Sequence, residues 1–309
     1  MTGPVRPSVA IAAATRRLAA AGVASARAEA ELLAAHVLGV GRGRLALADD
    51  LDAAQLARYE SLVVRREQRE PLQHLLGTAP FRHLELAVGP GVFIPRPETE
   101  LLAGWVIEQA RRLAGPRGDG LRVVDLCSGS GAIALAVAQE LPGASVVAVE
   151  RSPAALAWLR RNAADRTAAG DTPVEVVAAD VTAPDLLAEL TGAVDLLAVN
   201  PPYVPDTVEV PAEVAGHDPA EAVFGGPDGL AVIRPLIAAA ARLLRPGGLL
   251  AIEHDDTHGA LVPALLAAAG RFTGTTGHAD LTGRARFATA RLAEVGDSRA
   301  AATWQTDSP

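Results

Sequence analysis

The segment Asp125-Leu126-Cys127-Ser128-Gly129-Ser130-Gly131 closes one apolar run and precedes a helical one. Gly129 and Gly131 let the backbone turn tightly and come close to a ligand, and a helix start offers free N–H groups. Glu150 closes the next apolar run, where a carboxylate can accept from both hydroxyls of a ribose. Asp180 closes the third, where it can accept from an adenine amino group. Open α/β sheets bind ligands at the carboxyl ends of their strands, so the set points to a nucleoside-containing cofactor. The loop alone does not say which. Gly129-x-Gly131-x-x-Ala134 also fits the dinucleotide fingerprint, which tolerates alanine at its third position. A methyl donor and a dinucleotide stand level here, and an ordinary tight turn is the bland reading.

Asn200-Pro201-Pro202-Tyr203, at the end of the fourth apolar run, breaks the tie. Two prolines fix two φ angles, remove two donors and keep the preceding residues extended. The corner is rigid and presents acceptors without competing N–H groups. The Asn200 side-chain oxygen and the Pro201 carbonyl can both point into a cleft, and two convergent acceptors suit a planar NH2 group. Tyr203 offers a flat face to whatever carries that group. A lone Pro-Pro pair is most often a simple turn; beside a nucleoside loop it reads as a site.

These residues need a scaffold that brings strand ends together. From Leu121 onward strand and helix patterns alternate: strands at Arg122–Cys127, Ser145–Glu150, Val174–Asp180, Asp195–Asn200 and Leu249–Glu253. Helices follow Gly131 and Ser152 and occupy Leu230–Leu244 and Leu261–Ala269. Runs near Phe272–His278 and Arg286–Leu292 have no helix between them and are expected to pair antiparallel. Alternation of this kind predicts a mostly parallel sheet covered on both faces. Residues 8–70 read as helices, with Ala26–Leu38 ending at Gly39 and Asp49 or Asp50 capping a helix over Leu51–Arg69. Leu84, Leu86 and Val88 alternate with polar or small residues before Gly89-Pro90-Gly91, which predicts a β-hairpin. Pro97 is expected to open a helix to about Ala114.

Composition excludes several classes. The 309 residues carry 28 basic and 36 acidic side chains, a net charge of −8, and every basic residue is arginine. Without lysine there is no Schiff base, pyridoxal site or Walker-type phosphate loop. The acidic balance argues against a broad phosphate-binding surface. Cys127 is the only cysteine, so no intrachain disulfide or thiolate metal cluster forms. His254 and His258 are four apart with no intervening Glu, so they read as a surface pair and no metal site is expected. No uncharged apolar run reaches membrane-spanning length. Val9–Ala14 is short and Arg16-Arg17 follow, so an amphipathic helix is expected there rather than a signal peptide. A cytoplasmic protein with no membrane partner follows.

Asn-Pro-Pro-Tyr after such a glycine loop resembles methyltransferases that modify exocyclic or amide nitrogen with S-adenosyl-L-methionine. Phe93-Ile94-Pro95-Arg96-Pro97-Glu98-Thr99-Glu100 is similar to the segment preceding the catalytic domain in the HemK/PrmC family, the peptide chain release factor glutamine N5-methyltransferases. Gln73–Gly77 with Phe81, Asp218-Pro219-Ala220, Phe224-Gly225-Gly226-Pro227-Asp228-Gly229-Leu230 and Leu281-Thr282-Gly283-Arg284 match that family too, so the resemblance covers residues 8 to about 293. It implies a seven-stranded, mostly parallel Rossmann-like methyltransferase sheet with the last strand antiparallel. A small N-terminal helical bundle and a β-hairpin linker would precede it. The implied domains are a helical substrate-docking unit over 1–74, a hairpin linker over 75–96, the methyltransferase domain over 97–293 and a disordered tail over 294–309.

At matching positions the resemblance implies that Asp125, Cys127, Ser128, Gly129, Ser130 and Gly131 hold the amino-acid end of the cofactor. Glu150 would hold the ribose, and Asp180 and Val181 would frame the adenine. Asn200, Pro201, Pro202 and Tyr203 would hold the substrate glutamine, with Asn200, Pro201 and Tyr203 catalytic and Asn200 also touching the cofactor. The family often has Gly-Thr at Cys127-Ser128, Asp at Glu150 and an aromatic at Val181. Glu253-His254-Asp255-Asp256 departs from the commoner pattern and receives no role. The implied partners are class 1 release factors, with no direct nucleic-acid contact. The alternatives are an N6-adenine nucleic-acid methyltransferase, which should carry a basic recognition region, and a dinucleotide-dependent oxidoreductase, which leaves the Asn-Pro-Pro-Tyr corner idle. An amide nitrogen is a poor nucleophile, so the expected catalysis is stabilisation of charge growing on nitrogen by two fixed acceptors, together with positioning.

Overall fold

The computed structural model describes residues 4–294; the tail expected after Glu294 lies outside the described residues. The chain forms two compact units. Among the described residues, one runs to Ala79 and takes in Val88–Pro90 and Val210–Asp218; the other holds Pro80–Ala87, Gly91–Glu209 and the described chain from Pro219 to Glu294.

In the first unit, α1 (Pro7–Ala20), α2 (Ala26–Leu38), α3 (Ala53–Glu67) and α4 (Leu72–Leu76) surround a core of Leu18, Leu33, Leu51, Tyr59 and Val63. Gly39 ends α2 in the left-handed region at φ 65°, where glycine has no Cβ to clash. The cap of α3 is Asp52, not Asp49 or Asp50: its carboxylate accepts from the Ala54 and Gln55 N–H groups, and Gln55 reciprocates. A capping box uses a residue three positions ahead of a Gln or Glu, and only Asp52 has that spacing. Buried Arg66 pairs with Glu29 and with Glu213, and Arg69 also reaches Glu213 at 2.7 Å. Those pairs hold the far-downstream segment Val210–Asp218 in this unit.

β1 (Thr78–Phe81) and β2 (Leu84–Ala87) make the expected two-stranded hairpin. α5 spans Thr99–Ala114, two residues later than expected, because Pro97 and Glu98 lie in a turn. There follow β3 (Arg122–Leu126), α6 (Ala132–Glu140), β4 (Ser145–Glu150), α7 (Pro153–Ala168), β5 (Glu175–Ala178) and β6 (Val194–Val199). Short helices α8 (Ala212–His217) and α9 (Ala220–Val223) precede α10 (Ile233–Leu243), β7 (Leu244–Glu253), α11 (Leu261–Ala268), β8 (Phe272–Ala279) and β9 (Ala285–Leu292). β7 begins ahead of Pro246-Gly247-Gly248 rather than after it, with a register shift against β6 absorbing the irregularity.

Seven strands form one sheet in the order β5-β4-β3-β6-β7-β9-β8. All neighbours are parallel through β7, and β9 runs antiparallel to both β7 and β8. Side chains alternate between two cores, as the pleat requires. Val123, Val146, Ala148, Leu196 and Ala198 face α5, α6 and α7, whereas Val124, Val147, Val149, Leu197 and Val199 face α10 and α11. Among the described residues no helix is long and apolar enough to cross a membrane.

One buried side chain ties the sheet's first loop to its surroundings. Asn162 on α7 accepts from the Ala87 N–H (2.8 Å) and donates to the Ala87 carbonyl (3.0 Å) and the Ser130 carbonyl (2.9 Å). Asn162→Ala is expected to destabilise the protein by about 1–3 kcal/mol or more, the cost of stranding buried backbone groups. Urea denaturation checks this; an unchanged midpoint would show that these groups find other partners.

Candidate functional site

Register places the candidate residues side by side. Leu126 on β3 lies opposite Val199 on β6, and Val199 lies opposite Ile252 on β7. The next residues of the three strands, Cys127, Asn200 and Glu253, therefore adjoin at the carboxyl edge. Glu150 ends β4 on the other side of β3.

The loop after β3 is built for close backbone approach. Gly129 (φ 55°) and Gly131 (φ 90°) both sit in the left-handed region. A side chain on Gly131 would strike Leu159 at 2.6 Å, while one on Gly129 would meet nothing within 4 Å. Gly131 thus serves packing, and Gly129 faces open space. Cys127 shares the left-handed conformation at φ 60°, which costs a non-glycine residue roughly 1–2 kcal/mol. That strain accounts for glycine's fitness at the position. Burial, with Glu150 and Asp125 nearby, pushes the Cys127 thiol far up, so it stays neutral. Ser128 donates from its N–H to the Val149 carbonyl (3.0 Å) and from its hydroxyl to the Asp125 carbonyl (2.9 Å).

Glu150 is locked in place. Its Oε1 accepts from the Arg151 and Ser152 N–H groups (both 2.8 Å) and its Oε2 from the Gly129 N–H (2.9 Å). Two carboxylate oxygens offer about four acceptor sites, so capacity remains for a ligand hydroxyl. Ser152 opens α7 without a side-chain cap, and Pro153, which has no N–H, takes the first helical position. Asp125 is fully buried, accepts from the Ala134 N–H (3.2 Å) through Oδ2, and leaves Oδ1 without a partner. Desolvation pushes it up to about 7. Asp180 Oδ1 accepts from the Thr182 hydroxyl (2.7 Å) and N–H (2.8 Å), and Arg151 lies 3.4 Å from Oδ2. Thr182 first, then Arg151, hold its carboxyl below the usual range. Val181 is buried in the core and presents no aromatic face.

The corner shows a different construction. Pro201 and Pro202 are buried, and Asn200 and Tyr203 are half-buried. Asn200 Nδ2 donates to Thr99 Oγ1 at 3.2 Å, which turns the amide oxygen the other way. The Tyr203 hydroxyl donates to Glu253 Oε1 at 3.0 Å. Burial beside that carboxylate pushes the phenol far up, so Tyr203 is no base. Gly225 and Gly229 pack on the corner's backbone: a Cβ on Gly225 would meet the Pro202 carbonyl at 2.6 Å, and one on Gly229 would overlap the Tyr203 carbonyl. Val204 and Gly225 complete the seam, with the Gly225 N–H donating to the Val204 carbonyl at 2.9 Å.

Sequence reasoning missed Thr99, Glu253 and the packing role of Gly225 and Gly229. Only the paired glycines left a local signal. His254 and His258 are not a surface pair: both are buried, at 0% and 6% exposure, His254 with its N–H on the Arg286 carbonyl of β9 and His258 against Gly229. Among the described residues no group of three or more His, Cys, Asp or Glu could hold a metal ion.

Residues 10–77 match the PrmC N-terminal domain, and residues 111–215 match the methyltransferase small domain. The chain is 59% identical to a release factor glutamine methyltransferase of Mycolicibacterium smegmatis, over 92% of this chain and 97% of that one. A release factor glutamine methyltransferase of Streptomyces coelicolor is 49% identical over 92% and 97% of the two chains. A 4-amino-L-phenylalanine/4-methylamino-L-phenylalanine methyltransferase of Streptomyces pristinaespiralis is 40% identical over 84% and 87%.

The site carries a stability signature. Desolvation raises the Glu253 carboxyl from its ordinary 4.5 to about 7. A folded value above the unfolded one gives a contribution fully present below the unfolded value and lost as pH rises through the folded value. Glu253→Gln cannot ionise, so the parent is expected to lose stability relative to this variant between about pH 4.5 and pH 7. Denaturation midpoints of both proteins across that range are the check; parallel profiles would contradict it.

Proposed function

The chain belongs to the release factor glutamine methyltransferase family, and from that premise we propose that it methylates the side-chain amide nitrogen (N5) of the glutamine in the Gly-Gly-Gln motif of class 1 peptide chain release factors. S-adenosyl-L-methionine is the methyl donor. The observation that carries the reading is the orientation of Asn200: its NH2 is committed to Thr99, so its oxygen is the face left for a substrate N–H.

The residues at the strand ends fit the donor. The buried, unpartnered Asp125 Oδ1 and the open space beside Gly129 suit its amino-acid end. The Glu150 carboxylate, held by three backbone N–H groups, suits a ribose diol, and Asp180 with Val181 flanks the adenine. When bound, the donor supplies a methyl group on a positively charged sulfur.

The chain's own groups do the rest. Asn200 Oδ1 and the Pro201 carbonyl accept the two N–H bonds of the amide and stabilise charge as it grows on nitrogen. Pro201 and Pro202 keep that corner free of competing donors. Tyr203, fixed through its hydroxyl, supplies the flat face that orients the amide. No side chain needs to remove a proton before transfer, in keeping with the neutral Cys127 and Tyr203. The helical unit is the surface that docks the release factor. The net charge of −8 offers little attraction to a phosphate backbone, and the enzyme works in the cytoplasm beside its substrate.

A relative named for 4-amino-L-phenylalanine gives a second reading, a free amino-acid amine. Two acceptors suit any nitrogen carrying two N–H bonds, so the corner admits both. Mass spectrometry of a release factor incubated with enzyme and donor separates them. One methyl on the Gly-Gly-Gln glutamine is expected, because N-methylglutamine keeps a single N–H for two acceptors. Two methyls, or turnover of 4-amino-L-phenylalanine with the factor unmodified, would overturn the proposal.

Two substitutions should part binding from chemistry. Asn200→Ala is expected to lower the single-turnover rate by about 10²–10³-fold at saturating donor, with S-adenosylhomocysteine affinity mostly retained. Glu150→Ala is expected to weaken that affinity and leave the saturated rate comparable, since its bonds are equal in ground and transition states. Calorimetry with rapid quench checks the pair; the reverse pattern would exchange the two roles.

A further inference from the structure

Glu253 has no part in the mechanism above, yet it is 2% exposed and sits beside the corner. Its Oε1 accepts from the Tyr203 hydroxyl (3.0 Å), and the Thr99 hydroxyl faces the same carboxylate and favours its charge. Its Oε2 is buried with no hydrogen-bond partner among the described residues. Such a group is costly to keep and asks for a reason. Three separate elements bring it there: Thr99 opens α5, Asn200 follows β6 and Glu253 ends β7.

We propose that Glu253 and Thr99 form a hydrogen-bond relay that sets the orientation of the Asn200 amide, and so selects a substrate nitrogen that donates. The inference rests on the assignment of the Asn200–Tyr203 corner to the substrate amide. A hydroxyl has one proton to give. In its ionised form the Glu253 carboxylate only accepts, so it draws the Thr99 proton toward itself. The Thr99 oxygen then shows lone pairs to Asn200, and only Nδ2 can meet them, as it does at 3.2 Å. Asn200 Oδ1 is left for the substrate. With the Thr99 proton turned the other way, Oδ1 would be drawn to Thr99 and an NH2 group would face the incoming NH2. The same carboxylate anchors the Tyr203 hydroxyl on the other side of the pocket. Glu253 and Thr99 are therefore positioning residues that act through Asn200 and Tyr203.

Thr99→Val replaces the hydroxyl by a methyl of the same shape, Thr99→Ser keeps the hydroxyl, and Glu253→Gln keeps the size of the carboxylate. Single-turnover rates on a release factor at saturating donor are compared with S-adenosylhomocysteine affinity. Thr99→Val and Glu253→Gln are each expected to slow transfer by about 10–10²-fold, the range that misplacement of a reacting group can cost, with affinity unchanged. Thr99→Ser should run near the parental rate. The double variant should be no slower than the worse single, because both break one relay. Parental rates in Thr99→Val, an equal loss in Thr99→Ser, or losses that multiply in the double variant would overturn the relay. Should Glu253→Gln fail to fold, the Thr99 pair decides. Asn200→Ala separates the two layers: a parental rate there removes the corner reading and the relay with it. Loss there with parental rates in Thr99→Val and Glu253→Gln removes the relay alone.

Discussion

Asn200 carries a donor and an acceptor on one planar group, and only the acceptor can meet a substrate NH2. Several elements of the second unit meet around that amide. The parallel pairing of β3, β6 and β7 brings Asn200 between Cys127 and Glu253. The turn at Pro97 and Glu98 sets Thr99 at the start of α5, within 3.2 Å of the amide. Two prolines then deny the neighbouring backbone any N–H that could compete. Gly225 and Gly229 allow a second loop to close on the corner's carbonyls, where any side chain would collide.

The donor side follows a different rule, in which backbone holds the carboxylate. Glu150 is held by three N–H bonds, from Gly129, Arg151 and Ser152. Those bonds also join the glycine loop to the end of β4. Asn162 holds the same loop from behind through the Ser130 carbonyl. Cys127 shows the cost of a departure, a side chain kept in a left-handed backbone where glycine would rest without strain.

Much of this was legible in the chain because the chemistry ends strands. Asp125, Glu150, Asp180 and Asn200 each close an apolar run, and an alternating pattern of strands and helices brings such ends to one edge. The mostly parallel direction of the strands and the antiparallel last strand were expected from the same pattern, whereas their order across the sheet was not. Element ends were less legible where two residues compete: Asp49, Asp50 and Asp52 can all cap, and only Gln55 decides among them. Thr99 and Glu253 were out of reach because their meaning lies in contacts distant in sequence, Thr99 with Asn200 across 101 residues and Glu253 with Tyr203 across 50. His254 and His258 misled because Asp255 and Asp256 make their neighbourhood read as exposed, whereas both histidines are buried. The glycines at 225 and 229 carried a family signature whose physical content, close backbone packing, needs three dimensions.

In the proposed reading a corner of two acceptors selects a nitrogen that donates, while other surfaces select the molecule that carries it. A structure of the enzyme with S-adenosylhomocysteine and a glutamine-containing release factor fragment tests this most directly. The account predicts the glutamine NH2 between Asn200 Oδ1 and the Pro201 carbonyl, each at about 3 Å, with Asn200 Nδ2 still on Thr99. A glutamine whose carbonyl oxygen faces the corner, or an Asn200 amide turned to offer its NH2, would contradict it.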